Sequence, residues 1–83
     1  MFYVYILKSN INSHYYIGSC KNISKRLDLH NKGLVGSTKR YLPWELIYNE
    51  TYDELINAKR RELQIKSWKK RLAIENLIKH FKI

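Results

Sequence analysis

Residues 2 to 8, Phe-Tyr-Val-Tyr-Ile-Leu-Lys, are aromatic and β-branched almost without interruption. Such a run suits a strand buried on both faces and therefore central in its sheet. Asn10-Ile11-Asn12-Ser13 then supplies turn chemistry. A second run, about His14 to Cys20, returns antiparallel and carries Tyr16-Ile17-Gly18. A turn centred near Asn10 and Ile11 sets Tyr5 opposite Tyr16, and side chains directly across an antiparallel pair share a face. Two tyrosine hydroxyls are therefore expected on one side of a small sheet. The rest of the chain has to fold against this hairpin.

The 83 residues form one domain, 1–83, near the size where a single core only just suffices. A hydrophobic share of 45%, with seven Tyr and two Trp, supports such a core and argues against disorder. No apolar run approaches the ~20 residues of a membrane helix. The N-terminus lacks the basic start, apolar core and cleavage site of a signal peptide. The lone Cys20 has no intramolecular disulfide partner, and no Cys/His spacing suits structural zinc. A cytoplasmic protein without membrane association is expected. Sixteen Lys and Arg against seven Asp and Glu give a net charge of +9. That excess favours a polyanionic partner, nucleic acid above all. A basic surface serving solubility alone, and an anionic membrane surface, are the alternatives.

Asn22 or Ser24 is placed to cap a helix running to about Lys32, with Gly33 as its stop. Ile23, Leu27 and Leu34 form its narrow apolar stripe, while Lys25, Asp28 and Lys32 project to the solvent side. Arg26 and His30 stack four apart at the edge of that stripe, which suits an arginine leaning over the sheet. The loop from Gly33 to Leu42 carries Gly36, Ser37, Thr38, Lys39 and Arg40. It reads equally as a phosphate-touching segment or a mobile basic loop. After Pro43 a third strand spans 44 to 52. Asp53 or Thr51 then caps a helix to about Ser67, whose apolar arc holds Leu55, Ile56, Ala58, Leu63 and Ile65, with Glu62 inside it. A carboxylate on a packed side is rare unless it is paired or ligating. A last helix, Lys69 to Lys82, sets Ala73, Ile74, Leu77, Ile78 and Phe81 on one side. No Gly or Pro separates it from its predecessor, so one bent helix is an alternative. Lys59, Arg60, Arg61, Lys66, Lys69, Lys70 and Arg71 concentrate positive charge there, and Trp68 is either a core residue or a base-stacking one. The expected fold is α+β, a three-stranded antiparallel sheet flanked by helices in the order β-β-α-β-α-α.

With these positions placed, the sequence resembles the GIY-YIG endonuclease superfamily, in particular its short stand-alone bacterial members. Tyr3-Val4-Tyr5 stands where the family has its first tripeptide, with Tyr3 in place of glycine, and Tyr16-Ile17-Gly18 is the second as written. Arg26, His30 and Glu62 follow in the family's order and predicted elements, and Asn76 falls near a polar position of some members. The resemblance implies Mg²⁺-dependent, or Mn²⁺-dependent, hydrolysis of DNA phosphodiesters. It makes Glu62 the metal ligand, Arg26 the group that stabilises charge on the phosphoryl, and Tyr16, with Tyr5 or His30, the base for water. The chemistry is consistent with these residue types. One carboxylate suffices for an ion that keeps most of its waters, and a guanidinium is a planar fork of donors. A tyrosine titrating near ~10 needs a neighbouring cation to act as base. His30, ordinarily near ~6.5, is the second base or a proton relay. Lys39, Arg40, Arg60, Arg61, Lys69, Lys70 and Arg71 are the expected nucleic-acid contacts. Without an appended recognition domain, structure-selective or weakly sequence-specific cutting in repair or recombination is expected. RNA stays open as a second partner, as does a protein partner for targeting. The competing reading is a basic nucleic-acid-binding module without turnover, which has no need of a carboxylate that repels phosphate.

Overall fold

In the computed structural model, which describes residues 1–80, the opening run is strand β1 (Phe2–Ser9), followed by β2 (Tyr15–Cys20) and helix α1 (Ile23–Asn31). A short 3₁₀ turn (Lys39–Tyr41) leads to β3 (Trp44–Tyr52), then α2 (Leu55–Lys66) and α3 (Arg71–Lys79). The sheet is antiparallel in the order β2-β1-β3, so β1 is central as its composition predicts. The fold class and element order are those expected from the sequence.

Because side chains alternate along a strand, β1 serves two cores. Val4 and Ile6 face α2 and α3 and pack with Tyr48, Ala58, Ile65 and Ile74. Tyr5 and Leu7 face α1 and pack with Trp44, bordered by Tyr16, Ile23, Leu27 and Leu46.

The hairpin register differs from the sequence expectation. The loop is four residues long, Asn10 to Ser13, closed by the Ser9 N–H donating to the His14 carbonyl (2.9 Å). Ser9 Oγ accepts from the amides of Ile11 (3.2 Å) and Asn12 (3.4 Å), and Ser13 takes a positive φ of 61°. The longer turn slides β2, so Tyr5 pairs with Gly18 and Tyr16 pairs with Leu7. Tyr16 is thus a diagonal neighbour of Tyr5 rather than its direct partner. The shared face survives, since Leu7 lies on Tyr5's side of β1.

In α1, Asn22 is the cap, its Oδ1 accepting the Lys25 N–H at 3.0 Å, and Gly33 follows the helix at φ 74°. Leu34, expected in the apolar stripe, lies beyond the helix at 68% exposure, and His30, expected only at the stripe's edge, is the buried residue of α1. Helix α2 starts after Glu54 with no side-chain cap, so neither Asp53 nor Thr51 plays that part. Its buried stripe is Ala58, Glu62 and Ile65, while Leu55, Ile56 and Leu63 are exposed. The spacing i, i+4, i+7 traces one line along a helix, so the contact with the sheet is narrower than the apolar arc. Residues 67–70 separate α2 from α3, which excludes a single bent helix. Phe81 and Lys82 lie outside the described residues.

Candidate active site

The site starts at Tyr5, whose hydroxyl end lies against Gly18 of the neighbouring strand. A Cβ at position 18 would stand 2.5 Å from the Tyr5 hydroxyl and 2.7 Å from Cζ, distances no side chain tolerates. Glycine is required here for close approach rather than for backbone freedom. Tyr5 is only 3% exposed, so its ring has nowhere to retreat. Gly18→Ala is expected to destabilise the fold by about 1–3 kcal/mol, the usual cost of overpacking. Urea denaturation measures this loss, and a wild-type midpoint would show that the ring is free to move.

The Tyr5 hydroxyl is hydrogen-bonded to His30 Nε2 (3.1 Å), and His30 Nδ1 to Thr38 Oγ1 (2.8 Å). Both His30 and Thr38 are fully buried. Helix α1 sets His30 in place, and the next residue, Asn31, fixes the helix to β3. Asn31 Oδ1 accepts the Trp44 N–H (2.7 Å) and its Nδ2 donates to the Trp44 carbonyl (3.0 Å). Burial, and secondarily the charge of Arg26, lower the His30 pKa, so the ring stays neutral. Burial, then Tyr16, push the Tyr5 phenol far upward despite the opposing pull of Arg26, so Tyr5 keeps its proton. Tyr16 completes the group, its ring centroid 4.8 Å from His30 and 6.3 Å from Tyr5. Unlike Tyr5 it is only half-buried, and among the described residues its hydroxyl has no hydrogen-bond partner.

Arg26 is exposed, one turn before His30, and its guanidinium makes no hydrogen bond or ion pair among the described residues. Its charge is felt by Tyr5, Cys20 and His30, all on the α1 side of β1 and β2. An arginine fork left exposed and unpaired is able to take a planar anion through two parallel hydrogen bonds.

Glu62 lies on the other face of the sheet, with α2, and the two halves meet at the edge strand β2. Ser19 follows Gly18, and its side chain points to the opposite face, where Oγ donates to Glu62 Oε1 at 2.5 Å. Lys66 Nζ donates to Oε2 at 2.6 Å, and Lys59 Nζ stands 3.6 Å from Oε1. Burial alone would raise the carboxyl pKa. The bonds from Lys66 and Ser19 and the two lysine charges outweigh it and hold Glu62 below its ordinary value. The carboxylate is thus ionised, and its charge is felt by Tyr5 across the strand.

The model of the GIY-YIG catalytic domain matches residues 1–77 of this chain. The chain belongs to the GIY-YIG family. This is a nuclease family, and GIY-YIG nucleases act on DNA. A UPF0213 protein of Staphylococcus epidermidis is 40% identical over 67 residues, 80% of each chain. One of Syntrophus aciditrophicus is 42% identical over 66 residues, covering 77% of this chain and 75% of its own. A UPF0213 protein of Bacillus halodurans, solved by solution NMR, superposes with a TM-score of 0.61 at 26% identity, over 95% of this chain and 84% of that one.

Set in the GIY-YIG domain, the predicted site residues fall in three groups. Tyr5, Tyr16, Arg26 and His30 gather on one side of β2, and Glu62 stands just across it. Among the basic residues, Lys39, Arg40, Arg60, Lys69 and Lys70 are exposed. Arg61 is turned inward, its guanidinium bonded to Glu50 (Nε 2.9 Å, Nη2 3.0 Å) and 5.5 Å from the Trp68 ring centroid. Glu50 also accepts from Tyr48 and Tyr52, which makes the cluster a part-buried tie between β3 and α2. Arg71 pairs with Glu75 at 2.9 Å and covers Tyr15, 4.4 Å from its centroid. Asn76 is exposed on α3. Trp68 packs against the core. Ser19, which sequence reasoning did not single out, joins the site, and Thr38, read from the sequence as part of a phosphate-touching or mobile loop, instead bonds inward to His30.

Proposed function

We propose that this GIY-YIG protein is a DNA endonuclease that hydrolyses phosphodiester bonds with Mg²⁺ or Mn²⁺. One observation carries the reading: Tyr5 and Tyr16 with the exposed, unpaired Arg26 of α1 on one side of β2, and an ionised Glu62 held by Ser19 on the other. A purely DNA-gripping surface gains nothing from a part-buried carboxylate.

The donor chemistry fits the metal. Mg²⁺ keeps several waters and needs only one or two carboxylates, and Glu62 remains charged. Lys66, which now covers Oε2, is half exposed on a flexible stem and free to give way. When bound, the ion would neutralise charge on the phosphate and lower the pKa of a coordinated water. The chain's own residues do the rest. Arg26 offers its fork to the phosphoryl oxygens as their charge grows. Tyr16, open on its hydroxyl side, gives up its own proton to bulk water and, as the phenolate, receives the proton of the attacking water. Tyr5 and His30 hold the adjacent floor rigid and dry. The exposed Lys39, Arg40, Arg60, Lys69 and Lys70 supply salt-sensitive contacts to the DNA backbone. Phosphate contacts carry no sequence information of their own, so we assign selection to DNA shape more than sequence, in repair or recombination.

The decisive experiment incubates supercoiled plasmid and flap or branched duplexes with protein and Mg²⁺ or Mn²⁺. Cutting that favours the branched substrates and stops on chelation is expected. Nicking of equal rate in wild type, Glu62→Ala and Arg26→Ala would mean a contaminant, and the enzymatic reading would be lost.

A further inference from the structure

We infer that Thr38 is a positioning residue that fixes His30 in its Nδ1–H form and so turns the Tyr5 hydroxyl inward. Its effect on cutting rests on the nuclease reading above, whereas the proton arrangement does not.

The direction of each bond follows from what each group is able to donate. Thr38 Oγ1 touches two partners, His30 Nδ1 at 2.8 Å and the Val35 carbonyl at 3.3 Å. A carbonyl only accepts, so the threonine proton goes to Val35 and its oxygen is left to accept from His30 Nδ1–H. A neutral imidazole carries one N–H, so Nε2 bears the lone pair. At the far end Tyr5 reaches the same conclusion independently. It is almost wholly buried, it keeps its proton, and among the described residues its hydroxyl has one partner, His30 Nε2 at 3.1 Å. Reversing the chain would leave that buried O–H without an acceptor, which interiors seldom allow. The protons therefore run one way, from Tyr5 through His30 and Thr38 to Val35.

The consequence is felt at the reacting side. With its proton drawn toward His30, Tyr5 presents only lone pairs toward Gly18 and Tyr16. It is thereby able to accept a hydrogen bond from the attacking water, orienting that water toward Tyr16, the group that takes the proton. Thr38 is itself locked in place, because its carbonyl accepts the Trp44 indole N–H at 2.8 Å. This loop was open to a phosphate-touching reading; its threonine instead faces the interior.

The test labels the histidines with ¹⁵N and reads the His30 ring by long-range proton–nitrogen correlation. Wild type should show a protonated Nδ1 and a bare Nε2. Thr38→Val, nearly isosteric, should shift the ring toward Nε2–H, and Thr38→Ser should restore the wild-type pattern. On branched DNA, kcat of Thr38→Val should fall roughly 10- to 100-fold with KM little changed, the scale at which groups that orient a reacting residue act, and Thr38→Ser should recover it. A wild-type ring protonated at Nε2 would overturn the assignment, and a tautomer unmoved in Thr38→Val would overturn Thr38's part in fixing it. A shifted tautomer with undiminished cutting would overturn the positioning role. Tautomers as expected in a wild-type protein that never cuts would uphold the arrangement and sink the nuclease reading instead.

Discussion

Glu62→Gln is expected to cut DNA roughly 10³-fold more slowly than wild type while still folding and still binding DNA. A metal-bound carboxylate contributes several kcal/mol to charge stabilisation in phosphoryl transfer, and each 1.36 kcal/mol is about tenfold in rate. The amide keeps an oxygen for Ser19, but its NH₂ cannot accept from Lys66 or bind a hard cation. Folding should change little, because the lost partners are lysines with side chains 45% and 56% exposed. Such pairs contribute at most about 1 kcal/mol once solvent screening is counted. Without metal, DNA affinity should hold or tighten, since one repulsive charge beside the phosphates is gone. Mn²⁺ binding, followed directly by titration, should weaken in parallel with cutting. Wild-type turnover in Glu62→Gln would remove this residue from the chemistry.

Arg26→Ala should fail differently. Removing one preorganised donor to a transition-state oxyanion costs about 10²–10³ in kcat, and that loss is expected here with Mn²⁺ binding intact. Arg26→Lys should recover only part, because an ammonium keeps the charge but not the fork. Arg26 is exposed and has no partner among the described residues, so stability should stay within about 0.5 kcal/mol of wild type. A second readout needs no DNA. Burial and the Arg26 charge together lower the His30 pKa. Deleting the charge should raise it part-way toward the ordinary histidine value, leaving it still depressed because burial is the larger cause. An NMR titration of His30 in Arg26→Ala follows this directly. An unmoved pKa would place Arg26 away from the tyrosines.

Much of this was legible in the residues. Aromatic and β-branched runs announced three strands, Asn22 and Gly33 bracketed α1, and Glu62 stood out as an acid on a packed side. The failures have specific causes. Register depends on loop closure, and Ser9 gathers the turn amides in a way that no composition rule reports. The width of a buried stripe depends on how closely a helix meets its sheet, so Leu55, Ile56 and Leu63 looked like core and are exposed. Arg61 looked like a surface cation because its partner, Glu50, is distant in sequence. The inward role of Thr38, read from the sequence as part of a phosphate-touching or mobile loop, was hidden for a related reason: it exists only once β3 carries Trp44 back beneath the loop.

Strand β2 divides the candidate centre by the thickness of a single backbone, with Gly18 exposing one side and Ser19 the other. Neither hydrophobic core alone assembles the full set of groups. During synthesis the hairpin and α1 emerge first, and the acid at position 62 arrives only when α2 has docked. A nascent or partly melted chain is therefore inert on this reading, and a cell carrying it is spared an enzyme that cuts DNA before it has finished folding.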